Sequence, residues 1–267
     1  MRSGLWIAMV LGGLLLAGCT TTPGDDDDDT GDDDTGSDDD TGDDDTCEPP
    51  AGGVIQLQTQ DGVTIVADYY PSTHCPAPGV VLLHMIPPQW DRTSWPAGFI
   101  TQLNGNGWTV IVPDRRGAGE SGGVAEDAYQ GPNGKFDVDA CVARLAEDGY
   151  AGDLAIIGAS NGTTSMVDYA AWAATTRAPE PDLLGYMSGG GYTTAQTAIA
   201  DVPPVPAFFA YPTSEATWHV AQEAHDPGTW DWFEYDPGDH GTLLFGAVGQ
   251  PVYDDIDGFM TGVLPVL

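Results

Sequence analysis

Leu154-Ala155-Ile156-Ile157-Gly158-Ala159-Ser160-Asn161-Gly162 is the stretch that decides the fold. Its first half is an apolar run of strand character. A Gly-x-Ser-x-Gly turn follows, and residues 163–176 continue at once with a helical pattern. Strand, sharp turn and helix with a serine at the apex is the setting of a nucleophile elbow. Such a turn strains Ser160, and the flanking glycines leave room for crowded backbone. The serine hydroxyl is then held above the sheet at the positive end of a helix, where a developing anion is favoured. The five-residue pattern alone carries little weight because glycine and serine are common. The strand before it and the helix after it give it meaning, against the alternative of a glycine-rich turn with an incidental serine.

Outward from this point the chain alternates strands and helices. Residues 54–58 and 63–70, joined around Asp61-Gly62, predict an antiparallel hairpin. Residues 79–84 and 108–113 are apolar runs of buried-strand type, with a helix expected around 95–103 between them. An amphipathic helix is expected at 136–148, short strands at 183–187, 205–211 and 230–235, and a closing helix at 254–264. This order implies an α/β protein with a mostly parallel central sheet covered on both faces. From Cys47 onward there are about 220 residues, enough for one domain with a substantial core.

The hairpin, then Leu82-Leu83-His84, then Pro113-Asp114-Arg115-Arg116-Gly117-Ala118-Gly119-Glu120-Ser121, then the serine turn, together resemble the α/β-hydrolase superfamily. The compact form resembles dienelactone hydrolases and related small esterases. The resemblance implies the α/β-hydrolase fold with an N-terminal antiparallel hairpin and no large cap domain. It also implies a serine nucleophile with an acid and a histidine downstream, in that order. Ser160 is the expected nucleophile. His240, in the loop after the last strand, is the expected base. Glu215, just after the strand expected at 205–211, is the candidate acid, with Asp201, Asp226 and Asp239 as fallbacks. Glu215 could equally be an acidic residue opening a helix. His84 resembles the family's structural histidine, and His219 and His225 are expected at the surface. Asp114 reads as a structural turn residue, and Asp91-Arg92 as a local ion pair.

Two backbone amides should form the oxyanion hole. One is expected from Asn161. The other is expected from Ile86, with Met85 as the alternative, because Pro87 and Pro88 have no N–H. The chain lacks the glycine the family often has after this histidine. Trp90, Trp95, Tyr129, Tyr192 and Trp218 could line an aromatic pocket or simply pack the core. No cofactor and no metal is implied, and no zinc-type spacing is present.

The N-terminus supplies the setting. Arg2, an apolar stretch at 5–16 and Leu16-Ala17-Gly18-Cys19 read as an export signal. The last four residues resemble a bacterial lipobox, which implies removal of 1–18 and a lipidated Cys19 anchored to a membrane. Thr20 rather than Asp resembles lipoproteins passed to the outer membrane, so an exported, lipid-anchored place in the cell envelope is expected. Residues 19–46 form the lipidated cysteine and an Asp-rich linker, and 47–267 the hydrolase domain. The linker is too polar to fold alone and repels itself into extension. An EF-hand frame from Asp26 places Gly31 correctly but Ser37 where the bidentate Glu belongs, leaving at most weak Ca2+ association.

The linker holds 14 of the 41 acidic residues, and the domain from Cys47 onward still carries a net charge of −21. That surface repels nucleic acid. Cys47 and Cys75 are the favoured disulfide pair, with Cys141 a buried thiol on a helix face. The residues and the resemblance together imply a serine hydrolase acting on small-molecule carboxylic esters, lactones or thioesters through an acyl-enzyme. A peptidase or amidase of the same fold is the runner-up. A non-catalytic displayed scaffold is the reading from another class, since fold does not dictate function.

Overall fold

The computed structural model describes residues 49–74, 76–147, 153–193, 196, 199–202 and 204–266, all within the compact unit Thr46–Leu267. The expected signal, Cys19, the acidic linker, Cys47 and Cys75 lie outside the described residues. Strands β1 (Gly53–Gln58) and β2 (Thr64–Tyr70) form the expected hairpin. Gly62 takes the left-handed conformation that its turn demands (φ 84°). Strand β2 pairs antiparallel with β4 (Thr109–Pro113), and every later pairing is parallel. With β3 (Gly79–Leu83), β5 (Leu154–Ala159), β6 (Leu183–Met187), β7 (Ala207–Pro212) and β8 (Trp230–Tyr235), the order across the sheet is β1-β2-β4-β3-β5-β6-β7-β8.

Strands β3, β5, β6 and β7 are buried at every residue, as their unbroken apolar runs require. Alternate residues feed two separate cores. Val81, Leu83, Ile111 and Ile156 pack with α2 (Gly134–Glu147) and α3 (Gly162–Ala173). Val80, Leu82, Val110 and Ile157 pack with α1 (Ala97–Gly105) on the other face. There they also meet α5 (Leu244–Val248) and α6 (Gln250–Val263). Helix α4 (Ala216–Gln222) follows β7. Helix α6 begins a turn earlier than its sequence pattern suggests, because Pro251 falls in the first turn, where no amide donor is needed. Only 19 residues separate β6 from β7, too few for a cap domain. Cys141 is a buried free thiol on α2, as expected.

The loop after β4 is built around carboxylates. Asp114 accepts from the Arg92 backbone amide (2.8 Å), the Arg92 guanidinium and the Glu120 amide (2.8 Å). A Cβ on Gly119 would lie 2.1 Å from the Asp114 carboxylate, so that glycine is required by contact. Arg92 does not pair with Asp91 as the sequence suggests. It bonds Asp68 (3.1 Å), Asp114 and Glu120 (2.6 Å), while Asp91 caps the following turn through Thr93. Arg116 bridges Asp61 and Asp137, each at 2.8 Å.

His219 also departs from expectation, being wholly buried rather than at the surface. Helix α4 turns it onto Tyr211, with the rings stacked at 3.9 Å and 8°, and Phe209 and Trp218 meet it edge-on. Neither ring nitrogen has a partner among the described residues. Burial pushes His219 down to about 3, and His84 likewise, helped there by the nearby Arg115 charge. Both therefore stay neutral in the fold, whereas in the unfolded chain they take a proton near pH 6.5. The unfolded state then binds more protons between pH 6.5 and 3, so stability is full above that window and falls as pH drops through it. Each histidine contributes a slope of about 1.4 kcal/mol per pH unit. His219→Phe keeps the stacking and removes the titration. Denaturant unfolding between pH 6 and 4 should show its slope reduced by about that amount. An unchanged slope would mean that His219 is hydrated in solution.

Candidate active site

Strand β5 delivers Ser160 at its C-terminal end, and the backbone reverses there through φ 51° before α3 starts. A non-glycine residue held in this region costs about 1–3 kcal/mol, so its surroundings must over-determine it. The Ser160 amide donates to the Met187 carbonyl (2.7 Å), extending the β5–β6 ladder one residue past the strand. The Ser160 carbonyl accepts from the Thr163 amide (3.1 Å) and hydroxyl (2.6 Å). Both motif glycines are needed for close approach. A Cβ on Gly158 would stand 2.6 Å from the Thr163 nitrogen, and one on Gly162 2.5 Å from the Leu83 carbonyl oxygen. The elbow is thus wedged between β3 and its own helix.

His240 and Glu215 converge on this serine from the ends of β8 and β7. The Ser160 hydroxyl lies 2.6 Å from His240 Nε2, and His240 Nδ1 lies 2.7 Å from Glu215 Oε1. Glu215 closes the 3₁₀ turn Thr213–Glu215 and also precedes α4, so one position serves both readings of the residue. The longer glutamate arm spans from that turn to the imidazole. Asp239 instead accepts the His240 backbone amide (2.7 Å), and Asp226 caps the turn before β8 through the Gly228 amide (2.7 Å). The serine is 6% exposed, whereas the His240 and Glu215 side chains are 36% and 29% exposed. The relay is open to water along one side. Gly241, at φ 57°, lets the histidine loop lie on Met85, since a Cβ there would meet the Met85 sulfur at 2.5 Å.

The amides of Met85, Ile86 and Asn161 donate to no acceptor among the described residues. His84 accounts for the shape of the loop that carries two of them. Its Nε2 accepts the Arg115 amide (2.8 Å), which leaves the proton on Nδ1 to donate to the Met85 carbonyl (2.7 Å). Met85 is buried and Ile86 exposed.

The suggested aromatic lining divides in two. Trp95 is core, packed on Phe99 and Phe245, and Trp90 packs against the same cluster. Trp218 packs on Gly189, where a Cβ would meet its ring at 2.7 Å. Tyr129 and Tyr192, with Gln130 and Thr193, line a cavity of about 430 Å³. The Tyr192 hydroxyl donates to the Ser188 carbonyl (3.2 Å), and burial raises its phenol, against the lowering effect of the nearby Ser160 side chain. Tyr192 thus brings the edge of this cavity near the serine. The Tyr192 loop is tied to the elbow through Gln196, which accepts the Tyr192 amide (2.9 Å) and donates to Thr163. Ile86, Tyr192 and Leu243 expose apolar surface. Among the described residues no group of three His, Cys, Asp or Glu side chains is placed to hold a metal.

The same architecture occurs in solved enzymes. The Pyrococcus furiosus esterase Pf2001 superposes with a TM-score of 0.63 at 14% identity, over 80% of this chain and 93% of that one. The esterase RhEst1 from Rhodococcus sp. ECU1013 gives 0.58 at 14%, over 79% and 99%. The α/β hydrolase GrgF from Penicillium sp. sh18 gives 0.62 at 13%, over 80% and 99%. The fold is that of the α/β-hydrolases. No protein-family model matches the chain, and no curated protein matches it. The shared α/β-hydrolase architecture therefore rests on topology, with the strand ends carrying Ser160, Glu215 and His240 supplied by this sequence alone.

Sequence reasoning missed three contributors: Gln196, Gly241 and the buried Arg115. Gly241 had a signal, since a glycine directly after a loop histidine hints at a crowded or left-handed turn. Gln196 and Arg115 act through contacts across the fold and had none. The wedge at the elbow is directly testable. Gly162→Ala forces Cβ against two carbonyls, those of Leu83 and His84 (2.5 and 2.6 Å), in a place with no flexible neighbour to yield. We expect a loss of roughly 1–3 kcal/mol in denaturant unfolding, the usual cost of overpacking. A loss below about 0.5 kcal/mol would show that β3 and α3 are less tightly apposed than described.

Proposed function

We propose that this domain hydrolyses small carboxylic esters, lactones or thioesters through an acyl-enzyme on Ser160. The observation that carries the proposal is the continuous relay Ser160–His240–Glu215, with both hydrogen bonds under 3 Å, at a strained strand-to-helix turn. A serine hydroxyl is a poor nucleophile until a base removes its proton. His240 Nε2 is placed to take that proton as Oγ bonds to the substrate carbonyl carbon. The carbonyl electron pair then moves onto oxygen, toward the amides of Asn161 and Ile86 or Met85. Collapse of the adduct breaks the bond to the alcohol, which leaves with the proton from His240. Water repeats the sequence on the acyl-enzyme and frees the acid. Glu215 holds the imidazole in the tautomer that leaves Nε2 free and offsets the charge it gains.

An ester rather than a peptide substrate is favoured by the relay's exposure and the apolar rim of Ile86, Tyr192 and Leu243, which suit a small, largely apolar group. That Pf2001 and RhEst1 are esterases supports the same choice. We further propose that the chain is exported, loses residues 1–18 and is anchored through lipid on Cys19, the acidic linker holding the domain off the membrane. Labelling of expressing cells with a radioactive fatty acid should mark the protein, and Cys19→Ser should abolish the label. A labelled Cys19→Ser protein would remove the anchor from that position.

Short-chain p-nitrophenyl esters test the activity, with a fluorophosphonate probe mapped by mass spectrometry. Turnover with the probe on Ser160 is expected. Ser160→Ala should lower kcat by roughly 10⁵–10⁶-fold, and Glu215→Gln by about 10⁴-fold. Unimpaired turnover in Glu215→Gln would reassign the acid. A folded protein that neither turns over nor takes the probe would leave the scaffold reading in its place.

A further inference from the structure

Arg115 follows Asp114 at the end of β4 and turns beneath the candidate site, wholly buried. The other two arginines of this loop network, Arg92 and Arg116, both lie on carboxylates. Arg115 touches none among the described residues. Its Nη1 donates to the carbonyls of His84 (3.3 Å) and Met85 (3.3 Å) and to Asn161 Oδ1 (3.0 Å). Its Nη2 donates to the Ala128 carbonyl (3.0 Å) and Ser165 Oγ (2.9 Å). Burial pulls the guanidinium down to about 10, against the more distant influence of Asp137, Asp168 and Tyr129, so it remains a cation at neutral pH. A buried cation without a carboxylate partner is costly, offset here only by its hydrogen bonds to neutral oxygens, and its retention calls for a purpose.

Peptide geometry supplies the purpose. In a trans peptide the C=O of one residue and the N–H of the next point in opposite directions. Drawing the Met85 carbonyl inward onto Arg115 and His84 turns the Ile86 N–H away from them. Drawing the His84 carbonyl inward does the same to the Met85 N–H. Nη1 also holds the side chain of Asn161, whose backbone amide is the other open donor.

We propose that Arg115 is the positioning residue of the oxyanion hole, a buried fork that fixes the Met85–Ile86 peptide and Asn161 so that the Ile86 and Asn161 amides converge on one substrate oxygen. This rests on the hydrolase reading of Ser160. It ranks Ile86 above Met85 as donor, because the Met85 carbonyl is held twice, by the guanidinium and by His84 Nδ1. The cation beneath the hole also favours the negative charge formed there.

The test compares an alkyl trifluoromethyl ketone with the matching methyl ketone on the full chain. With the first, Ser160 Oγ adds to the carbonyl carbon, its proton passes to His240, and the carbonyl pair becomes an oxyanion in the hole. The second binds without addition. Dissociation constants are read by ¹⁹F NMR for the trifluoromethyl ketone and by competition for the methyl ketone. Arg115→Met should weaken the trifluoromethyl ketone by about 100-fold, the scale of losing one oxyanion donor, with methyl ketone binding changed less than about twofold. Ester kcat should fall in parallel with KM held. If Arg115→Met shows no cooperative melt, Arg115→Lys decides, because one ammonium cannot span the fork, and about a tenfold loss is expected. Equal weakening of both ketones, or no weakening in a folded variant, overturns the proposal while leaving the hydrolase reading intact. A wild-type protein that neither adds the trifluoromethyl ketone nor reacts with a fluorophosphonate overturns both.

Discussion

Ser160 occupies a backbone conformation that a serine does not choose, and the rest of the site follows from what keeps it there. Three chain segments meet at backbone contact: the end of β3, the turn itself and the first residues of α3. Glycine at 158 and 162 permits the meeting, and the Met187 carbonyl and Thr163 hydroxyl lock it. Because the turn cannot relax, the serine side chain has a defined direction. The loops after β7 and β8 need only bring a carboxylate and an imidazole to a fixed point. The loop after β3 is pinned to the same point, since the carbonyls of Leu83 and His84 are the atoms that Gly162 clears.

Charge is distributed in a matching way. The domain is strongly acidic overall, yet the three arginines around the loop after β4, Arg92, Arg115 and Arg116, are drawn inward. Arg92 and Arg116 neutralise carboxylates that shape the loop after β4, and that loop positions Arg115. Arg115 in turn binds the carbonyls of the β3 loop and the elbow's asparagine. An inward-facing network of cations thus sits behind a surface whose own charge is negative. The network's effect is local, because it acts through hydrogen bonds at about 3 Å in a dry interior, where such contacts are strongest. The surface acids, screened by solvent and salt, bear on solubility rather than on the site.

The periodic and ordered features of the fold are legible in the sequence. Unbroken apolar runs at β3 and β4 announced buried strands, and the apolar run of β5 with the short strands β6 and β7 announced the rest of the parallel sheet. The strand-turn-helix at Ser160, followed by a carboxylate after β7 and a histidine after β8, announced the order that the fold brings together. What stayed illegible depends on contacts far apart in sequence. His219 looks like a surface histidine because its helix is short and mixed in character; only the packing of α4 on Tyr211 and Phe209 buries it. Arg92 reads as a partner of its neighbour Asp91, but the chain must first fold to bring Asp68 and Asp114 within reach. Arg115 reads as half of a basic pair, and nothing local separates it from Arg116. One finds carboxylates and the other carbonyls.

That difference explains why two adjacent arginines serve different ends. A cation on a carboxylate is neutralised in place and stiffens the loop it belongs to. A cation on carbonyls stays uncompensated, and each carbonyl it holds orients the amide on the far side of the same peptide. Methionine rather than glycine follows the β3 histidine, which narrows the conformations open to that loop. Its geometry must then be imposed from beneath, by His84 and the guanidinium together. The proline pair at 87 and 88, unable to donate, closes off other amides on that segment. The loop is left with few ways to present a donor to the serine, and Arg115 selects among them.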